Sequence, residues 1–377
     1  MKKIVNLFFV LSFFSCEGIK QLANEKVTTK MDCESLILNS KASFLSMKID
    51  GLSSDFLFDT GATRSVLLDS TAVPNFSNKK ISSFGVAKGA DKKKIVNQLL
   101  TVKLSSPLFE SDTKVLSFIK MPDSKCGQFK TNYSGILGMD VFFENQSVMQ
   151  LDFSNSKVCN ITTQQFRQYL SDNQYQLLKS KCKSNKIFVY LEIEGKEYLF
   201  KMDSGYTGNI IMPYNEKLSF KNDKKLELEG SLFQTISSHT SGSEILYEKM
   251  PITFGSFNLE AKLNVSTSIK AQNIGIDFIK AFDWLIDYNN NKIYVKRNQN
   301  SIESVFTRKV MYYAKVKAEK LEIVVKEKSQ TKFNLGDEIV SVIGQKVTAE
   351  NQCELQDLLN KTEDWSSLQI EVLTSSK

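Results

Sequence analysis

The sequence carries one pattern twice, and that duplication limits the fold more than any other feature. "FLSMKIDGLSSDFLFDTGATRSVLL", starting at Phe44, and "IFVYLEIEGKEYLFKMDSGYTGNIIM", starting at Ile187, read alike. Each gives an alternating strand, a turn with glycine (Gly51 or Gly195), an apolar strand, an Asp-hydroxyl-Gly tripeptide and another apolar strand. Asp59 and Asp203 are 144 positions apart. A second matched pair follows in the same order. "GILGMDVFFENQSVMQLDFSNSKV" from Gly135 corresponds to "NIGIDFIKAFDWLIDYNNNKIYV" from Asn273, placing Gly138, Asp140 and Asp152 on Gly275, Asp277 and Asp287. An Asp-[Thr/Ser]-Gly tripeptide alone occurs at about one position in two thousand at average composition, so the shared context weighs more than the tripeptide.

The repeats occupy residues 33–160 and 184–298, with 17–32 as a linker before them. In a chain of 377 residues with 41% hydrophobic side chains, each repeat is long enough for its own core. Residues 161–183 predict a connecting helix, with a capping box at Thr162 and Gln165 and with Phe166, Tyr169, Leu170 and Leu177 at helical spacing. Residues 299–377 form a third unit: strands, the turn "NLGDEI", a Gly344 turn, a helix around Glu350 to Leu359 and a last strand in "SLQIEVL".

Residues 1–16 have a basic start at Lys2 and Lys3 and then an apolar run, which suits the core of a signal peptide and is short for a membrane span. "SFFSC" resembles a bacterial lipoprotein cleavage box. That resemblance implies an exported protein held to a membrane of the cell envelope by a lipid on Cys16, with a soluble exported product as the alternative.

Loss of Lys2 and Lys3 leaves 47 basic and 42 acidic side chains, about +5. Clusters such as Lys92 to Lys94 and Lys224 to Lys225 lack interleaved aromatics, so they read as solvated surface and not as a nucleic-acid interface. After Cys16 there are five cysteines, Cys33, Cys126, Cys159, Cys182 and Cys353, with no CxxC spacing. That excludes a zinc site of the usual spacing and leaves room for one or two bridges after export. His239 is the only histidine, and no G-x-S-x-G elbow exists, so neither a histidine metal cluster nor a serine hydrolase fits. Its Ser/Thr/Gly-rich setting reads as polar surface.

Two carboxylates can hydrolyse an amide without metal or cofactor. At about 3 Å they cannot both ionise readily, so one acts as acid while the other takes a proton from water. Such a site needs close backbones. Gly61 and Gly205 remove the side chains that would block approach, while Thr60 and Ser204 can bond across to the opposite loop.

On these residues, 33–298 resembles two tandem retropepsin-like aspartic protease domains, and 299–377 resembles a PDZ domain. The resemblance implies a mainly β bilobal unit of two closed β domains, plus a C-terminal α+β domain. It also implies Asp59 and Asp203 as the catalytic pair. Asp59, Thr60, Gly61 and Ala62 match the family's loop, and "GILG" through Gly138 matches its bracing element. Asp203, Ser204, Gly205 and Gly275 match in the second repeat, whereas Tyr206, Asn273 and Lys201 depart from the pattern. Asp140, Asp152, Asp277 and Asp287 read as turn caps. Flaps are expected within 82–94 and 234–244. The implied partners are an extended peptide or protein substrate and a C-terminal peptide at the PDZ-like groove. Two alternatives are a homodimer working through Asp59 alone and an inactive peptide-binding lipoprotein.

Overall fold

A computed structural model describes residue 22 and residues 24–374, apart from 40, 80, 89–93, 122–125, 127–132, 144–146, 173, 235–238 and 307–310. The apolar leader and Cys16 lie outside the described residues. The chain is mainly β, with three sheets among the described residues.

Each repeat begins with a hairpin whose turn is set by its sequence. Ser43–Ile49 pairs with Leu52–Phe58 through Asp50 and Gly51 at φ 48° and 94°, and Lys186–Ile193 pairs with Lys196–Met202 through Glu194 and Gly195 at 49° and 76°. Two successive left-handed residues match the twist of the strands they join. The second arm of each hairpin runs straight into the Asp-hydroxyl-Gly loop.

The bracing segments then lie parallel to those arms. Gly135–Leu137 sets Ile136 opposite Leu57 and Leu137 opposite Phe58, while Asn273–Ile274 sets Asn273 opposite Lys201 and Ile274 opposite Met202. Phe56, Phe58, Phe200 and Met202 are fully buried beneath the loops. Burial of such side chains stabilises by about 1.5–3 kcal/mol each, so both loops start from rigid ground.

The repeats also meet in a shared sheet. Val148–Asp152 pairs antiparallel with Phe282–Asp287, with Met149 opposite Ile286 and Leu151 opposite Trp284, and one core runs through both halves. Asp152 accepts from the Asn155 amide at 3.0 Å and Asp287 from the Asn290 amide at 3.2 Å, so these two carboxylates cap turns as expected.

The connecting helix is Thr163–Asp172, shorter than 161–183. Its capping box forms: the Thr162 amide donates to Gln165 Oε1 at 2.8 Å, and the Gln165 amide donates to Thr162 Oγ1 at 3.2 Å. Leu177 is not part of it. Gln174 at φ 53° turns the chain out of the helix, and Gln176–Leu178 joins Lys292–Arg297 as a strand, leaving Leu177 exposed and Leu178 buried. The end of the 17–32 segment is also structured, because Thr28–Thr29 pairs with Phe109 and Glu110.

The C-terminal unit has its own core, including Tyr312, Ile323, Ile339, Leu355, Leu359 and Trp365. Its strand Lys320–Glu327 hydrogen-bonds to Lys225–Gln234 of the second repeat, with Glu229 opposite Lys326 and Gly230 opposite Val325. Gly230 sits at φ 119°, and a Cβ there would overlap the Val324 carbonyl. A disulfide from Cys126 to Cys353 ties the same unit to the first repeat, and Cys33–Cys159 closes a bridge within the first repeat. Cys182 is a free thiol.

The outer edge of Tyr312–Lys317 faces the helix Gln352–Lys361. The Ala314 amide donates to Asn360 Oδ1 at 2.9 Å, Asn360 Nδ2 donates to the Ala314 carbonyl at 2.8 Å, and the Val316 amide donates to Gln356 Oε1 at 2.7 Å. A peptide adding to that edge would compete for the same backbone groups.

Candidate active site

The two Asp-hydroxyl-Gly loops face each other and are joined by reciprocal bonds. The Thr60 amide donates to Ser204 Oγ and the Ser204 amide to Thr60 Oγ1, both at 3.0 Å, and Ser204 Oγ donates to the Phe58 carbonyl at 2.6 Å. Thr60 and Ser204 are buried, so these are dry bonds with no competing water.

Glycine is required where each loop meets the opposite carboxyl. A Cβ on Gly61 would collide with the Asp203 carboxyl, and one on Gly205 would lie 2.6 Å from Asp59 Oδ2. Behind the loops the braces match as well. The Asp59 amide donates to the Leu137 carbonyl at 3.1 Å and the Asp203 amide to the Ile274 carbonyl at 2.9 Å. A Cβ on Gly138 would press on the Arg64 and Ala62 backbone, and one on Gly275 on that of Tyr206 and Gly208. The Met139 amide bonds Ala62 O at 2.9 Å and the Ile276 amide bonds Tyr206 O at 2.8 Å. Tyr206 therefore leaves the loop backbone as Ala62 has it; its ring folds back over Gly208.

The carboxyls have different surroundings. Asp59 Oδ1 accepts from the Gly61 amide at 2.8 Å and the Ala62 amide at 3.1 Å. Burial, the neighbouring Asp203 charge and a hydrogen bond between the two carboxyls push Asp59 up to about 7, against the pull of Lys201 and the Gly61 amide. Asp203 Oδ2 accepts from Asn273 Nδ2 at 2.7 Å and stands 3.0 Å from Lys201 Nζ. Burial alone would lower the Lys201 ammonium, but the Asp203 and Asp59 carboxylates outweigh it and hold the ammonium above its ordinary range.

Asp140 departs from the turn-cap expectation. It accepts from Ser65 Oγ at 2.7 Å and pairs at 2.6 Å with Lys114, which is fully buried and also paired with Glu25. Ser65 Oγ in turn accepts from the Gly138 amide at 3.1 Å, so this cluster underlies the first brace. Asp277 pairs with Lys280 at 2.7 Å. Neither Glu25 nor Lys114 stands out in the sequence, because their partners are distant along the chain.

The flap expectations fall on two hairpins, Ile81–Lys88 with Lys94–Ser105 and Lys225–Gln234 with His239–Phe254; the tips 89–93 and 235–238 lie outside the described residues. A recess of about 670 Å³ is lined by Phe143, Phe166, Arg167 and Asn290 and includes no residue of the Asp59 or Asp203 loops. Among the described residues, no group of three or more His, Cys, Asp or Glu is placed to hold a metal ion, and no helix is long and apolar enough to cross a membrane.

No protein-family model matches the chain, and no curated protein matches it.

Proposed function

We propose that the chain is an aspartic endopeptidase of retropepsin-like type, with Asp59 and Asp203 of one chain forming a single site. The observation that carries this is the mutual approach of the two loops, each glycine lying against the other loop's carboxyl. In this reading the ionised carboxylate accepts a proton from water as its oxygen attacks the peptide carbonyl carbon. The protonated carboxyl donates to the carbonyl oxygen. Collapse of the tetrahedral adduct breaks the C–N bond, and the amide nitrogen leaves with a proton from the pair.

The substrate in this reading is an extended peptide, the class that the retropepsin-like resemblance implies. The C-terminal unit is read as a PDZ-like packing module, since helix side chains already hold its edge strand. Export with a lipid on Cys16 is the companion proposal, supported by the leader and by two disulfides, which persist in oxidising compartments. The test is turnover of a peptide library by purified protein between pH 3 and 8, beside Asp59→Asn. Cleavage by the wild type alone supports the reading; equal cleavage by the variant, or tight binding of a statine-type peptide with no turnover at any pH, overturns it.

A further inference from the structure

The two departures of the second repeat are partners. In the first repeat Leu57 lies opposite Ile136, and both are buried in a small apolar cluster beside the Asp59 loop. At the same register in the second repeat Lys201 lies opposite Asn273. Both polar side chains turn to one atom, Asp203 Oδ2, at 3.0 and 2.7 Å. Lys201 Nζ also donates to the Gly61 carbonyl at 3.2 Å, so it reaches across to the loop that carries Asp59. Exchanging a buried apolar pair for an ammonium and an amide costs desolvation unless their polar atoms are partnered; the Lys201 ammonium and the Asn273 Nδ2 are, while Asn273 Oδ1 is buried without a hydrogen-bond partner among the described residues.

We propose that Lys201, with Asn273, is a positioning residue that fixes the charge order of the pair: Asp203 is held as the carboxylate and Asp59 carries the shared proton. The inference rests on the reading of the site as one aspartic dyad. An ammonium cannot accept a hydrogen bond, and an amide NH₂ donates only, so Oδ2 of Asp203 is matched as an acceptor twice over. Asp59 Oδ1 accepts from the backbone amides of Gly61 and Ala62, and the carboxyl faces the opposing Asp203 charge. Two phenols also feel these charges: burial first and then the Asp59 charge hold Tyr133 above its ordinary range, and burial followed by Glu244, Asp277 and lastly Asp203 does so for Tyr206. Lys201 is therefore the cation that acts on both carboxyls. The geometry gives the two repeats unequal work: the second supplies the base toward water and the first the acid toward the carbonyl oxygen.

Removing the cation has a definite sign. An ammonium favours deprotonated carboxyls, so without it both ionisations of the pair move to higher pH. Lys201→Met tests this, with Lys201→Arg as the variant that keeps the charge. A third variant, Lys201→Leu with Asn273→Ile, copies the apolar pair of the first repeat and so guards against a folding defect. The aspartate carboxyl ¹³C shifts are followed against pH in intact protein, together with kcat/KM against pH on a cleaved peptide. The expected result is an upward shift of about 1–3 pH units in the titration for Lys201→Met and for the double variant, with Lys201→Arg staying near wild type. A matching shift of the kcat/KM profile supports both this inference and the protease reading. Unchanged carboxyl titrations in the Met and double variants would overturn the inference even if peptide is cleaved. Shifted titrations in a protein that cleaves nothing would leave the charge order standing and remove the protease reading.

Discussion

The Thr60 amide bonds Ser204 Oγ while the Ser204 amide bonds Thr60 Oγ1, each at 3.0 Å, so the two halves of the site hold one another by side chains of the loops themselves. Ser204→Ala strands the Thr60 amide and leaves the Phe58 carbonyl with the longer bond from Ser43 Oγ at 3.4 Å; Thr60→Ala strands the Ser204 amide. Each is expected to cost about 1–3 kcal/mol in urea unfolding. Because the pair acts as a unit, the double variant should cost less than the sum of the two. Strict additivity would mean that the bonds are independent.

Gly205→Ala is expected to damage chemistry more than stability. The added Cβ would stand 2.6 Å from Asp59 Oδ2, so the carboxyl must move. A displacement of about 1 Å costs on the order of a hundredfold in rate. Peptide cleavage within twofold of wild type would show that the loops are further apart in solution.

Glu244, buried on the second hairpin, makes stability depend on pH. Burial pushes its carboxyl up to about 7, against a hydrogen bond with Asn264. The raised value means the folded chain holds the proton where the unfolded chain has lost it. Stability from this group is therefore full below its unfolded value and falls as pH rises from about 4.5 to about 7, by on the order of 3 kcal/mol. Glu244→Gln should raise the Tm at pH 8 and leave it nearly unchanged at pH 4, by calorimetry. An equal effect at both pH values would contradict this.

Gly230→Val is expected to loosen the C-terminal unit from the second hairpin, because the new side chain would meet the Val324 carbonyl. Hydrogen exchange should speed up in 228–230 and 325–327, where the strands pair. Unchanged protection there would mean that the contact accommodates the side chain.

Much of the site was legible because it is local. The tripeptides, their apolar flanks and the Gly138 and Gly275 braces follow one another in order, and strand alternation with glycine turns is visible in a single sequence. The capping box at Thr162 and Gln165 was legible for the same reason. Leu177 misled because a residue five positions beyond the helix end at Asp172, and seven after Leu170, still fits a 3.6 period by chance. The pairing of Lys201 with Asn273 was not legible: each looks like an isolated departure until the parallel register sets them side by side. Lys114 with Glu25 and Asp140, and the Cys126–Cys353 bridge, were hidden in the same way, since contacts across long separations are set by sheet order. The tie between Lys320–Glu327 and the second hairpin joins two units that sequence alone sets apart.

The most direct measurement of the central claim is peptide cleavage by Asp203→Asn, with equimolar mixing against Asp59→Asn. A single-chain dyad requires that each variant lose several powers of ten in kcat/KM and that the mixture recover nothing. Near wild-type cleavage by Asp203→Asn, or activity restored on mixing, would contradict it.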